Sequence, residues 1–210
     1  MSTPSQIYER VPQEVLAQYP NLTNEYSFAD TVMAKILSEF TLQNSVRVKG
    51  QKLKCPQDLP SLSIAVLIAA RSDVALVSSG DKSQTDKKQN LTSEQRHSLP
   101  IGIYQTTGDN KGVYEITNDP YGAFGELVER YKPDATRREK LEVFTLVKSR
   151  LKVVEKCVIP YYVAVNNGIW DVGDKILHPF SQDLVFTSKI HTNLNLAASN
   201  PVITIPEDNS

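Results

Sequence analysis

The stretch LSIAVLIAARSDVALVSSG, residues 62–80, constrains this chain more than any other part of it. Its apolar residues are interrupted by little beyond Arg71, Ser72 and Asp73, so a core has to be built around it. A continuous apolar run suits a buried helix or a buried strand equally well. Its Ala-rich composition favours a helix over 61–71, followed by a strand over 74–78. With 210 residues, 40% apolar and 22% charged, the chain can bury a core of that kind as one domain or as two small ones sharing it.

The flanking sequence alternates helical and extended signals. Residues 4–24, dotted with Pro, Gln and Asn, read as an irregular arm. SFADTVMAKILSEF reads as a helix capped by Asn24 or Ser27, with Phe28, Val32, Ile36 and Phe40 on one face. SVRVKGQKLKC alternates crudely and reads as a strand or hairpin with a positive exposed face. Residues 79–98 are polar and almost without anchors, which makes them a loop or linker. Residues 101–105 and 112–116 bracket Gly108, Asp109, Asn110 and Gly112 and predict a β-hairpin. A helix capped by Asp119 with Pro120 at its first position follows. The clearest helical spacing, Leu141, Phe144, Val147, Leu151, Val154 and Val158, predicts a helix over 134–158 ended by Pro160. YYVAV reads as a strand and NNG as a tight turn with φ > 0 positions. IWDV and KILHP read as a hairpin about Gly173-Asp174, and DLVFTSKI as a last extended segment. Helices and hairpins in this order, without a βαβ rhythm, give an α+β class of mixed helices and short antiparallel hairpins.

Composition excludes several chemistries. The formal net charge of -1 fits neither a wholly basic nor a strongly acidic protein. Cys55 and Cys157 are far apart, and His97, His178 and His191 follow no ligand pattern, so a closed zinc site is not encoded. Without a signal peptide or an 18-residue apolar run, the expectation is an intracellular protein with free thiols and no membrane partner. VALVSSGDKSQTD resembles a phosphate loop only superficially. Asp81 separates Gly80 from Lys82, and the first glycine is missing. Asp171, Asp174, Asp183 and His178 lie close in sequence, as a metal-dependent nuclease would need. Asp174, however, occupies a predicted turn, where its short side chain is favoured for structural reasons. Trp170, the only tryptophan, reads as core.

Charge is concentrated in two blocks. Arg47, Lys49, Lys52 and Lys54 come with no acid among them, and Arg137, Arg138, Lys140, Lys148, Arg150, Lys152 and Lys156 lie mostly off the apolar stripe of the long helix. Such residues suit phosphate contacts, which add salt-dependent affinity and read no sequence. Tyr104, Tyr114, Tyr121 and Tyr131 supply rings for base stacking near that helix. The competing expectation is an ordinary solvated face interspersed with Glu139, Glu142 and Glu155.

YYVAVNNGIWDVGDKILHPFSQDLVFTSKIHTNLN resembles the closing part of the N-terminal region of poxvirus D5-type and phage or plasmid primase-helicases. The likeness runs through Asn167, Gly168, Ile169, Trp170 and Asp171, then Leu177, His178 and Pro179, then Thr187 and Ile190. Upstream, Tyr104, Gly112, Val113 and Tyr114 resemble the hairpin that precedes a helix in the same region. The likeness covers residues 99–195, with 1–78 an N-terminal helix and strand region of unknown type, 79–98 a linker, and 196–210 a linker toward a helicase domain. It implies an accessory region placed before a superfamily 3 AAA+ motor. No archaeo-eukaryotic primase signature such as Asp-x-Asp is present. The expectation is therefore a fragment without activity or cofactor of its own, with ATP and Mg2+ belonging to the missing ATP-dependent DNA helicase motor. Expected partners are single-stranded, duplex or forked DNA, other subunits of the helicase and replication proteins, in the cytoplasm of a bacterial host. The alternatives are a protein-interaction module and a small metal-dependent nuclease.

Overall fold

The computed structural model describes residues 2–20, 24–79 and 91–198, and these form an α+β fold. The helices are α1 (Pro4–Gln18), α2 (Glu25–Ser45), α3 (Ser61–Ala69), α4 (Ser93–Ser98), α5 (Ala123–Glu129) and α6 (Arg137–Lys148). The strands are β1 (Val74–Ser78), β2 (Ile101–Tyr104), β3 (Tyr114–Thr117), β4 (Val153–Glu155), β5 (Tyr162–Val165), β6 (Gly168–Asp171) and β7 (Ile176–His178).

The apolar stretch behaves as expected: α3 and β1 are buried almost throughout. β1 is central in a four-stranded sheet of order β3-β2-β1-β4, antiparallel to β2 and parallel to β4. Because side chains alternate across a strand, β1 feeds two cores. Val74 and Leu76 point to the helices and join Ile7, Phe40, Phe124 and Val143, whereas Ala75 and Val77 meet Tyr104, Tyr114 and Val185 on the other face. Val185 and Phe186 reach both outer strands. Cys157 N–H donates to the Val185 carbonyl at 2.8 Å beside β4, and Tyr114 N–H to the Phe186 carbonyl at 2.7 Å on β3. That segment closes the second core. A separate antiparallel meander, β5-β6-β7, follows the sheet.

Several expectations are corrected. Residues 4–18 are a helix and not an irregular arm, because Thr3 and Gln6 form a capping box, Pro4 suits the first turn, and Ile7, Val11 and Val15 make a buried stripe. Residues 46–54 hold no strand. Asn44 accepts from Leu53 N–H at 2.7 Å and donates to its carbonyl at 3.0 Å, which pins a reversed loop against the end of α2. Gly50, at φ +98°, completes the turn from Val48 to Gln51. The stretch 79–98 is not a boundary between domains, since β1 and β2 on either side of it are paired and the main core runs from Ile7 to Leu151. Residues 93–98 in it are α4, and residues 80–90, including Asp81 and Lys82, lie outside the described residues.

The helix expected over 134–158 is shorter at both ends. Thr136 caps it in a capping box with Glu139, and it stops at Lys148 because Val153 and Val154 are needed as the strand beside β1. The helix expected from Asp119 begins at Ala123, since the Asp119 carboxylate holds the turn before it through Tyr121 and Gly122 N–H. Of the NNG turn, Gly168 takes a positive φ of +156° and neither Asn166 nor Asn167 does. Their side chains act elsewhere: Asn167 holds Leu194 by its carbonyl and amide groups at 2.9 and 3.0 Å, and Asn166 bonds Asn193. The last extended segment is not a strand; it meets its neighbours through single bridges at Val185 and Ile190 and through isolated bonds such as that from Tyr114 N–H to the Phe186 carbonyl. Trp170 is half-buried on the meander, and residues 199–210 of the expected linker lie outside the described residues.

Candidate nucleic-acid interface

The eleven basic residues singled out by sequence separate into structural cations and accessible ones. Lys148 is only 5% exposed. Its ammonium donates to the His97 carbonyl at 2.9 Å and lies 4.7 Å from the centre of the Phe144 ring, and burial holds its pKa below the usual lysine value. Arg96 answers from α4 by donating to the Lys148 and Leu151 carbonyls, so each helix supplies a cation to the other's carboxyl end. Lys140 pairs with Glu129, and Arg150 pairs with Glu9 at 3.0 Å. Arg47 donates to Gln43 at the end of α2 and to the Gln51 carbonyl in its own loop. Lys148, Lys140, Arg150 and Arg47 are engaged within the fold, which leaves the other seven as the freer candidates for phosphate contact.

The remaining seven are Lys49, Lys52, Lys54, Arg137, Arg138, Lys152 and Lys156. All are exposed, and none makes an ion pair among the described residues. They do not form one continuous face. Arg137 and Arg138 occupy the first turn of α6, and Lys152 and Lys156 flank β4 beyond its far end, with about 17 Å of helix between.

The amino end of α6 is the most built of these places. Cations in a first helical turn oppose the helix dipole, at a cost of about 0.3–1 kcal/mol each. Thr136 and Glu139 offset this: Glu139 accepts from Thr136 N–H, Thr136 Oγ1 and Lys132 Nζ at 2.8, 2.7 and 2.6 Å. Burial alone would raise the Glu139 pKa, but those hydrogen bonds outweigh it and bring the carboxyl down to about 2. The Arg137 guanidinium lies 4.5 Å over the centre of the Tyr121 ring. Tyr121 is 38% exposed, while Tyr104, Tyr114 and Tyr131 are buried. Of the four tyrosines proposed for stacking, Tyr121 is thus the accessible one. An exposed ring carrying a guanidinium, beside a second unpaired arginine, can hold a phosphate and stack on a base.

In the acidic stretch Asp171 is spent on structure, and Asp183 is exposed. The Asp171 carboxylate is buried and accepts from Gly173 and Asp174 N–H at 2.9 and 3.1 Å, fixing the β6-β7 connection. Asp174 is exposed in that turn, and His178 lies on β7 beside the Tyr162 ring. Among the described residues no group of three or more His, Cys, Asp or Glu side chains is placed to hold a metal ion, and no helix is long and apolar enough to cross a membrane.

The two stretches that carry the primase-helicase resemblance touch. Gly112, at φ +90°, leaves room for the Phe180 ring, which would lie 2.2 Å from a Cβ placed there. Tyr114 reaches the Gln182 carbonyl by its hydroxyl, and Lys189 reaches the Lys111 carbonyl. Gly168 admits β7 in the same way, with the His178 carbonyl 2.4 Å from its would-be Cβ. Comparison with protein-family models and with curated proteins gives no match.

Proposed function

We propose that this chain is a non-catalytic N-terminal region of a phage or mobile-element DNA replication helicase, and that it contacts DNA through the amino end of α6. The observation that carries the DNA contact is the pair Arg137 and Arg138, exposed in a helical turn whose dipole disfavours them, with Arg137 resting on the accessible Tyr121 ring. The ligand that suits two guanidinium groups beside an accessible ring is a phosphate backbone with an unstacked base. Lys152 and Lys156 provide a second, separate pair for the same polyanion. The helicase context rests on the resemblance over residues 99–195, whose two quoted stretches touch at Gly112 and Phe180 and at Tyr114 and Gln182. ATP and Mg2+ would belong to a motor outside this chain.

The test is a titration of labelled single-stranded, duplex and forked DNA at low and moderate salt. Salt-sensitive binding that Arg137→Ala with Arg138→Ala weakens at least tenfold supports the contact. Failure of the unaltered protein to bind at low salt removes it and leaves the protein-interaction reading.

A further inference from the structure

The two ends of α2 carry surfaces that match each other. Near its amino end an open pocket of about 400 Å³ is walled by Tyr26, Met33 and Leu59 together with Asp30, Asp58 and Asp134. Lys132, the one cation among its lining residues, is taken up by Glu139 at 2.6 Å and Asp58 at 3.5 Å. Asp30 and Asp134 make no ion pair among the described residues, so the pocket is apolar-walled and negative. Beyond the carboxyl end of α2, the pinned loop displays Val46 and Val48, which are 67% and 69% exposed, with Lys49 and Lys52 exposed beside them. No acidic residue occurs between Glu39 and Asp58. Gly50 is at φ +98° with open space around it, which leaves Lys49 at the tip of the turn.

We propose that these surfaces bind one another between copies of this chain, the 46–51 turn of one copy seating in the Asp30, Asp58 and Asp134 pocket of the next. The valines meet Tyr26, Met33 and Leu59, and Lys49 and Lys52 meet Asp30 and Asp134. A copy does not fill its own pocket, because the α2 residues from Asp30 to Val46 hold the turn about 24 Å from it along one helix. The contact is heterologous: each copy keeps a free turn and a free pocket, so association continues until a ring closes or a filament grows. A turn in a pocket is a small contact, weaker than a standard interface and weakened further by salt. It involves neither Arg137 nor Arg138 and stands apart from the DNA contact.

Sedimentation velocity of the whole chain from about 5 to 500 µM tests it in the range where contacts of this size show. One variant carries Lys49→Glu and Lys52→Glu, the other Asp30→Lys and Asp134→Lys. All four positions are exposed, and a thermal melt of each variant verifies folding. The expected result is a mass that rises with concentration for the unaltered chain, a monomer for each variant alone, and association restored when the variants are mixed, since the unaltered turn of one meets the unaltered pocket of the other and the reversed charges match as well. A monomeric unaltered chain at the top concentration, variants that associate as it does, or a mixture that stays monomeric overturns the proposal.

Discussion

Gly112 shows how single residues hold this fold. Its backbone at φ +90° favours glycine, and the Phe180 ring occupies the space a side chain would take. Gly112→Ala is expected to cost about 2–4 kcal/mol, against about 1 kcal/mol for Gly108→Ala, which has φ +72° but open space around it. Denaturation midpoints of the two variants check this, and equal losses would refute the role given to Phe180. Glu139 makes a pH-dependent contribution. Its carboxyl sits at about 2 in the fold and near 4.5 when unfolded, so its stabilisation is complete above pH 4.5 and is lost as pH falls toward 2. Glu139→Gln should remove about 1–2 kcal/mol at pH 7, screened because the group is partly open to water, and should narrow the gap to the unaltered protein near pH 2. A gap independent of pH would contradict the ion pair with Lys132. In the sequence Glu139 reads as part of a solvated face, although Thr136-x-x-Glu139 has the spacing of a capping box; its lysine partner, seven residues upstream, carries no local signal.

At the scale of elements, local signals predicted what local physics decides. The α3 and β1 runs, the β2-β3 hairpin and the β5-β6-β7 meander follow from apolar runs and turn residues in the sequence. Where sequence patterns misled, a distant partner decided. Val153 and Val154 continue the helical spacing of α6, but β1 leaves an edge open beside Leu76 and Val77, and the chain becomes β4 there. The alternation in 46–54 suggests a strand, yet the Asn44 side chain closes those residues into a loop with no neighbouring strand to pair with. Basic residues were the least legible, because sequence gives their charge without their burial: Lys148 looked like a surface lysine and is a helix cap for α4. The two asparagines of the β5-β6 turn likewise serve a distant segment. Asn167→Ala should speed hydrogen exchange at Ile190 and Leu194 while lowering global stability by only about 1 kcal/mol. Unchanged exchange at those two amides would show that the segment is held by other contacts.

Over the whole molecule, a polar stretch that reads as a linker joins neighbouring strands of one sheet, and α1, α2 and α3 share their core with α5 and α6. Two chains comprising residues 1–83 and 84–210, made together, should therefore form a 1:1 complex that copurifies, whereas independent behaviour of the two would restore the two-domain reading. The same compactness separates the accessible cations into patches, so the proposed DNA contact has a defined place instead of a continuous basic face. The most direct measurement of that assignment is the salt dependence of DNA affinity for the unaltered chain and for Arg137→Ala with Arg138→Ala. Each lost phosphate contact removes about 0.7 from the slope of log K against log salt on single strands and about 0.9 on duplex. A slope shallower by about 1.4–1.8 in the variant, with weaker binding at every salt, is the predicted result. An unchanged slope and affinity would place any DNA contact elsewhere and contradict the role proposed for the amino end of α6.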